Sequence, residues 1–124
     1  MKFKTLTFAV SVSLVSMFSA TPVQADDQLA QSLCNFVAAN DKNGVRGKLK
    51  ETRVKLRNIY DAVVCNGNNL IRHAMASNAD DAGAYIVSQL PKSKLAEDGD
   101  IDWANSNGHG GSAVVAAIKE RAGI

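Results

Sequence analysis

From residue 29 onward, apolar positions recur at intervals of three and four, the spacing that puts them on one side of an α-helix. Leu29, Leu33, Phe36 and Val37 make the first stripe, with Ala30 and Cys34 beside it. Asn40-Asp41-Lys42-Asn43-Gly44 interrupts it and offers helix N-caps. Val45, Leu49 and Thr52 resume the spacing and carry basic residues outward. Beyond Arg53 the pattern is mixed. Val54, Leu56, Ile59, Val63 and Val64 fit either a helix or short extended pieces, and Thr52 to Arg57 alternates, so an extended or loop connection is expected from about Arg53 to Cys65. Asn66-Gly67-Asn68 is turn chemistry, since Asn and Gly tolerate positive φ. Leu70, Ile71, Ala74 and Met75 share the next helical face, which Asn78 punctuates. Ala82, Tyr85, Ile86 and Leu90 form another, with Asp80 and Asp81 in a first turn where the helix dipole favours negative charge and Pro91 as the stop. Lys92 to Gly111 is polar and rich in Gly, Asp and Asn, and predicts a long loop with a short element around Trp103. Val114, Val115 and Ile118 mark a last helix from about Ser112 to Ala122, closed by Gly123.

These elements predict an all-α fold, a small bundle of helical hairpins with a long polar loop before the last helix. An internal echo refines it. Gly67 to Ala74, then Asn78, then Ala82 to Val87 has the layout of one ankyrin-type hairpin. Aligning Gly67 with Gly99 brings Ile71 onto Trp103 and Ile86 onto Ile118, and Val37-Ala38-Ala39 with Val45 to Leu49 is a looser copy. Against an ankyrin array stand the missing Thr-Pro-Leu-His signature and the polar Asn105-Ser106-Asn107-Gly108 where a packed first helix belongs. A generic bundle of hairpins is the expectation.

The first 25 residues are of a different kind. Lys2 and Lys4 precede an uncharged run from Thr5 to Ala20, Pro22 breaks it, and Val23-Gln24-Ala25 places small residues where a signal peptidase needs them. A membrane anchor needs about 18–20 strongly apolar residues, and this run is shorter and diluted by serines. Residues 1–25 are therefore expected to be a cleavable signal peptide, cut between Ala25 and Asp26, with no Cys there to receive a lipid. The remaining 99 of the 124 residues make one domain, 26–124, with a core over 29–90 and the loop and C-terminal helix over 91–124. In a bacterium the destination is the periplasm, without stable membrane insertion after cleavage.

Cleavage also changes the charge. The formal +2 of the whole chain comes from Lys2 and Lys4, because every acidic residue lies at or beyond Asp26. A neutral mature chain gives no support to nucleic-acid binding. Export bears on the cysteines too: Cys34 and Cys65 are expected to form one disulfide in an oxidising compartment, and nothing resembles a redox Cys-x-x-Cys pair.

Charge is segregated along the chain. Lys42, Arg46, Lys48, Lys50, Arg53, Lys55 and Arg57 face only Asp41 and Glu51, and Glu97, Asp98, Asp100 and Asp102 form an acidic run. Two solvated surfaces are the plain account, and Lys48, Lys50, Arg53, Lys55 and Arg57 are the candidate contacts for an acidic partner or for anionic lipid headgroups. Gly108-His109-Gly110-Gly111-Ser112, before a helix start, is a candidate anion-binding loop, with a flexible loop and Ser112 as N-cap the stronger reading. Asp98-Gly99-Asp100-Ile101-Asp102 opens like a calcium loop, but Trp103 stands at the invariant Gly and His109 at the bidentate Glu. His73 reads as a satisfied, partly buried ring. No metal site, no cofactor and no convergent catalytic set emerges. The expectation is a non-enzymatic exported protein that binds a protein partner in the cell envelope or acts as a structural accessory, with a small-ligand or anion-binding protein as the alternative.

Leu33-Cys34 and Cys65-Asn66-Gly67, about thirty residues apart and followed by a helix opening at Leu70 and Ala74, resemble the small exported bacterial proteins of domain-of-unknown-function family 3718. The resemblance runs from roughly Leu29 to Leu90. It implies an exported bacterial two-cysteine domain without an assigned activity, carries over no catalytic residues, and leaves Trp103 and His109 outside.

Overall fold

Leu29, Leu33 and Val37, four residues apart, become the buried side of helix α1 (Asp27–Ala38) in the computed structural model of the chain, which describes residues 27–124. The expected signal peptide and its Ala25–Asp26 cleavage point lie outside the described residues. Val45 and Leu49 do the same for α2 (Lys42–Thr52), whose N-terminus is capped by Asp41 accepting the Gly44 N–H at 2.8 Å. Leu70, Ile71, Ala74 and Met75 are buried on α4 (Leu70–Ala76), and Ala82, Gly83, Ile86 and Val87 on α5 (Asp80–Ser88). Val114, Val115 and Ile118 anchor α8 (Ala113–Ala122), which begins at the Ser112 cap and ends at Gly123 in the left-handed region. The described residues form an all-α fold, in which the one extended pairing is the Cys65–Asn68 bridge across the Asn66-Gly67 turn.

Two stretches expected to be irregular are helical. Leu56, Ile59, Tyr60 and Val63 are all buried, and their spacing is that of a helix. Leu56 and Ile59 lie on α3 (Leu56–Ile59), which tightens into a 3₁₀ turn over Tyr60–Ala62, so the expected extended connection holds only for the short link before Leu56 and again from Val63, whose backbone is extended, to Cys65. The long polar loop over 92–111 is likewise corrected. It contains α6 (Lys92–Glu97) and α7 (Asp100–Ser106), the latter taking in Asn105 and Ser106 of the Asn105–Gly108 stretch. α6 buries Leu95 alone and α7 buries Asp100 and Ala104. A two-turn helix with one or two inward positions has no periodicity to read, and one of those positions is an aspartate.

The hairpins share one turn. Asn40, Asn78 and Gly108 each take positive φ (53°, 53° and 79°). The residue after each donates its N–H five residues back, from Asp41 to Phe36 O, Ala79 to Ala74 O and His109 to Ala104 O, at 2.7–2.8 Å. This closure satisfies carbonyls that a helix end leaves orphaned, and Asn or Gly enters it with least steric cost. The first helices, α1, α4 and α7, contact one another in that order, as do the second helices, α2, α5 and α8, giving two layers over one continuous core. Stacking lets each hairpin bury a face it cannot bury alone.

Contacts between neighbours are specific. The residue before α5 is Ala79, which has no capping side chain. Asn40, in the turn of the preceding hairpin, supplies the cap: its Oδ1 accepts the N–H groups of Asp81 and Ala82 at 3.0 Å each. Arg121 of α8 returns the favour to α5's exit by donating to the Leu90 carbonyl at 2.9 Å. Where α5 meets α8, the missing side chain of Gly83 is what permits the approach. A Cβ there would clash with Val114 Cγ2 and lie 3.1 Å from Ala74 Cβ. In an isolated helix Gly→Ala stabilises by about 1 kcal/mol. Here Gly83→Ala is expected to destabilise by about 1–3 kcal/mol through overpacking. The sign of the change in a urea titration decides between the two.

Candidate functional site

Because Val45 and Leu49 point into the core, Arg46 and Lys50, one residue further on, flank the buried face of α2. The helix then ends on Arg53, in the left-handed region at φ 55°, ψ 36°. Its N–H reaches Lys50 O at 3.2 Å, and Val54 N–H reaches Leu49 O at 3.1 Å. The chain reverses there and runs through an extended Lys55 into α3, so that Arg53, Lys55 and Arg57 face the same space as Arg46 and Lys50. Tyr85 and Gln89, from the end of α5, complete the wall of a groove of about 620 Å³. Leu49 and Leu56 are buried beneath it, and Val54 and Tyr85 are half-buried, exposing some apolar surface to it.

Of the five basic candidates, Lys50, Arg53, Lys55 and Arg57 meet in this groove; Lys48 does not line it and sits 3.9 Å from Glu51 along α2. Arg46 joins them. Among the described residues none of Arg46, Lys50, Arg53, Lys55 and Arg57 takes part in an ion pair. Five cations without an internal counter-charge repel one another and hold a positive potential over the groove. Arg53 adds a second cost, because a side-chain-bearing residue in the left-handed region is disfavoured by about 1–2 kcal/mol. Tyr85 and Gln89 lie some thirty residues from the basic run, and nothing local in the sequence marks them as its neighbours.

A second cluster pins the C-terminal hairpin to the rest. Asn69 caps α4 by accepting the Arg72 N–H at 2.8 Å, and its amide donates to Asp100 Oδ1 at 3.0 Å. Arg72 Nε donates to the same oxygen at 2.8 Å, and Nη2 donates to the Asp98 carbonyl at 2.9 Å. The Asp100 side chain is fully buried, and its Oδ2 has no hydrogen-bond partner among the described residues. The Arg72 guanidinium also lies 5.6 Å from the centre of the Trp103 ring, on which His109 stacks at 5.6 Å. Burial, and then the nearby Asp100 charge, push the Tyr60 hydroxyl far above its ordinary pKa, so it stays neutral and accepts the Ile71 N–H at 3.4 Å. Lys94, its ammonium raised chiefly by its hydrogen bond to Asp61, ties Asp61 to Asp98. The acidic run therefore divides: Asp100 turns inward as a structural anion and Asp98 is neutralised by Lys94.

The remaining candidates are placed as follows. Cys34 and Cys65 are joined in a disulfide with Cα atoms 5.7 Å apart. His73 is buried beside it, with Nε2 3.0 Å from the Cys34 carbonyl. In the Gly108–Ser112 loop, the N–H groups of His109 and Ser112 bond to Ala104 O and His109 O, and Ser112 Oγ accepts the Val114 N–H. Those donors are therefore engaged, one by the end of α7 and the other within the loop, and Gly110 and Gly111 do not line the cationic groove.

Comparison with curated proteins and with solved structures gives no match. The profile of a family described as a protein of unknown function (DUF3718) matches residues 33–97. The matched segment holds both cysteines, Arg72 and every residue of the groove, and stops before α7 and the Gly108–Ser112 loop. As it covers just over half of the 124 residues, the chain belongs to the DUF3718 family.

Proposed function

We propose that this is an exported, non-enzymatic protein of the bacterial envelope that binds an acidic segment of a protein partner in the groove between α2, α3 and α5. The observation that carries the reading is the convergence of Arg46, Lys50, Arg53, Lys55 and Arg57 without a counter-charge among the described residues. A neutral domain that concentrates cations in one recess, one of them on a strained backbone, bears a cost that an external anion relieves. Export is supported by the pattern of residues 1–25 and by the disulfide, which suits an oxidising compartment. No helix among the described residues is long and apolar enough to cross a membrane.

The test is crosslinked capture of a partner from the organism's own envelope by the mature protein beginning at Asp26. Lys50→Glu/Arg53→Glu/Lys55→Glu is expected to lose the partner, and Lys48→Glu, outside the groove, to keep it. Arg53→Gly separates binding from folding. It removes one cation and relieves the left-handed arginine, so it is expected to raise stability by up to about 1 kcal/mol while weakening capture. Equal recovery by all variants counts against the groove. A small anionic ligand larger than a single phosphate, held in the same groove, is the second reading, favoured by a volume of about 620 Å³, within the roughly 300–1,000 Å³ of ligand pockets.

A further inference from the structure

Charge alone does not describe the groove. Cations from α2 and from the 53–57 segment surround it, but Val54 and Tyr85 also present half-buried apolar surface to it, backed by buried Leu49 and Leu56. A purely ionic occupant leaves that surface wet, whereas an apolar side chain seated there gains on the order of 25 cal/mol for each Å² covered. Three classes of anion can be weighed against this wall. A single phosphate is much smaller than a groove of about 620 Å³ and cannot meet cations spread around it. A membrane surface attracts basic side chains, but firm attachment also needs apolar groups that reach the acyl chains. The large exposed hydrophobic residues among those described are Val64 and Ile124, and neither lines the groove, while its own apolar surface is recessed. An extended polypeptide can place carboxylates against the cations and an apolar side chain between them.

Resting on the groove reading above, we infer that the occupant is an extended acidic peptide carrying an apolar side chain among its carboxylates, and that Tyr85, with Val54, is its specificity determinant. Tyr85 supplies a rigid ring at small entropic cost, and the cations supply attraction that does not depend on which apolar residue follows.

The test is fluorescence anisotropy of the disulfide-intact protein with two labelled decapeptides, one alternating Glu and Leu, the other Glu and Ser. The Glu–Leu peptide is expected to bind about tenfold more tightly, a difference of about 1.4 kcal/mol. Tyr85→Ala is expected to remove that preference while leaving the weaker Glu–Ser binding in place, and Tyr85→Phe to retain it. Lys50→Glu/Arg53→Glu/Lys55→Glu is expected to abolish binding of both. Equal affinity for the two peptides overturns this inference and leaves the acidic-partner reading standing. Binding of neither peptide overturns both. Tighter binding of anionic phosphatidylglycerol vesicles or of inorganic phosphate than of the Glu–Leu peptide also overturns the inference, in favour of a lipid surface or a small anion.

Discussion

Replacing Arg72 with methionine is expected to cost about 3–5 kcal/mol, because it strands a buried carboxylate without its cation. The Asp100 side chain is 0% exposed and that of Arg72 28%, so the carboxylate has no route to water when the guanidinium is removed. Asn69 still donates one hydrogen bond to Oδ1, but a neutral amide does not replace a charge, and Oδ2 already lacks a donor among the described residues. Asp100→Leu alone leaves a partly exposed guanidinium that can turn toward solvent, so the smaller loss is expected there. The double variant Arg72→Met/Asp100→Leu is expected to recover most of the stability, since a buried ion pair is often replaceable by apolar residues of similar volume. Urea denaturation of the two single variants and the double variant measures the coupling directly. A loss below about 1 kcal/mol for Arg72→Met would show that the pair is not holding the C-terminal hairpin.

Loss of the disulfide has a comparable effect by a different route. Cys34 and Cys65 are separated by 31 residues, and opening a loop of that length frees the unfolded chain by about 3–4 kcal/mol in the chain-entropy model. Small domains have about 5–15 kcal/mol of stability in total, so Cys34→Ala/Cys65→Ala is expected to lower the thermal midpoint by about 15–25 °C. Cys65 is buried in the core and Cys34 half-buried, so the sulfur lost from the folded state adds to this effect rather than offsetting it. Calorimetry of the oxidised protein, the reduced protein and the double variant checks this. Matching melts for all three would mean that the α1–α4 contact is maintained by packing alone.

Where a helix buries several residues on one side, the sequence was readable. The stripes of α1, α2, α4, α5 and α8 are inward-facing in the structure, and Asn40 and Asn78 sit at turns because few other residues accept positive φ. Ser112 and Gly123 could be recognised as caps for the same local reason. Legibility failed where the deciding contact is distant. Asp100 looks like a surface residue in an acidic run, and only Arg72, 28 positions earlier, makes it an interior one. α6 and α7 were hidden because short helices with one or two buried positions resemble polar loops. In the 53–65 stretch, the alternation from Thr52 to Arg57 masked the helical spacing of Leu56, Ile59, Tyr60 and Val63 just beyond it. Of the candidate site, the basic residues were visible and their enclosure was not. Tyr85 and Gln89 enter only once α5 is stacked on α2. Lys48 left the set because helical phase turns it away from the groove.

The disulfide and the Arg72–Asp100 pair both converge on the middle hairpin, one from each side. Cys65 precedes α4 and reaches back to α1, and Arg72 within α4 reaches forward to α7. In a stack of hairpins the outermost units are the ones that fray. Here one end is fastened by a covalent bond and the other by a desolvated charge pair. The two ends therefore answer to different agents. An electron donor opens the fastening of the first hairpin and leaves the charge pair that holds the last one in place. Because α2 belongs to the first hairpin and α5 to the middle one, the walls of the cationic groove stand on opposite sides of that redox-sensitive seam.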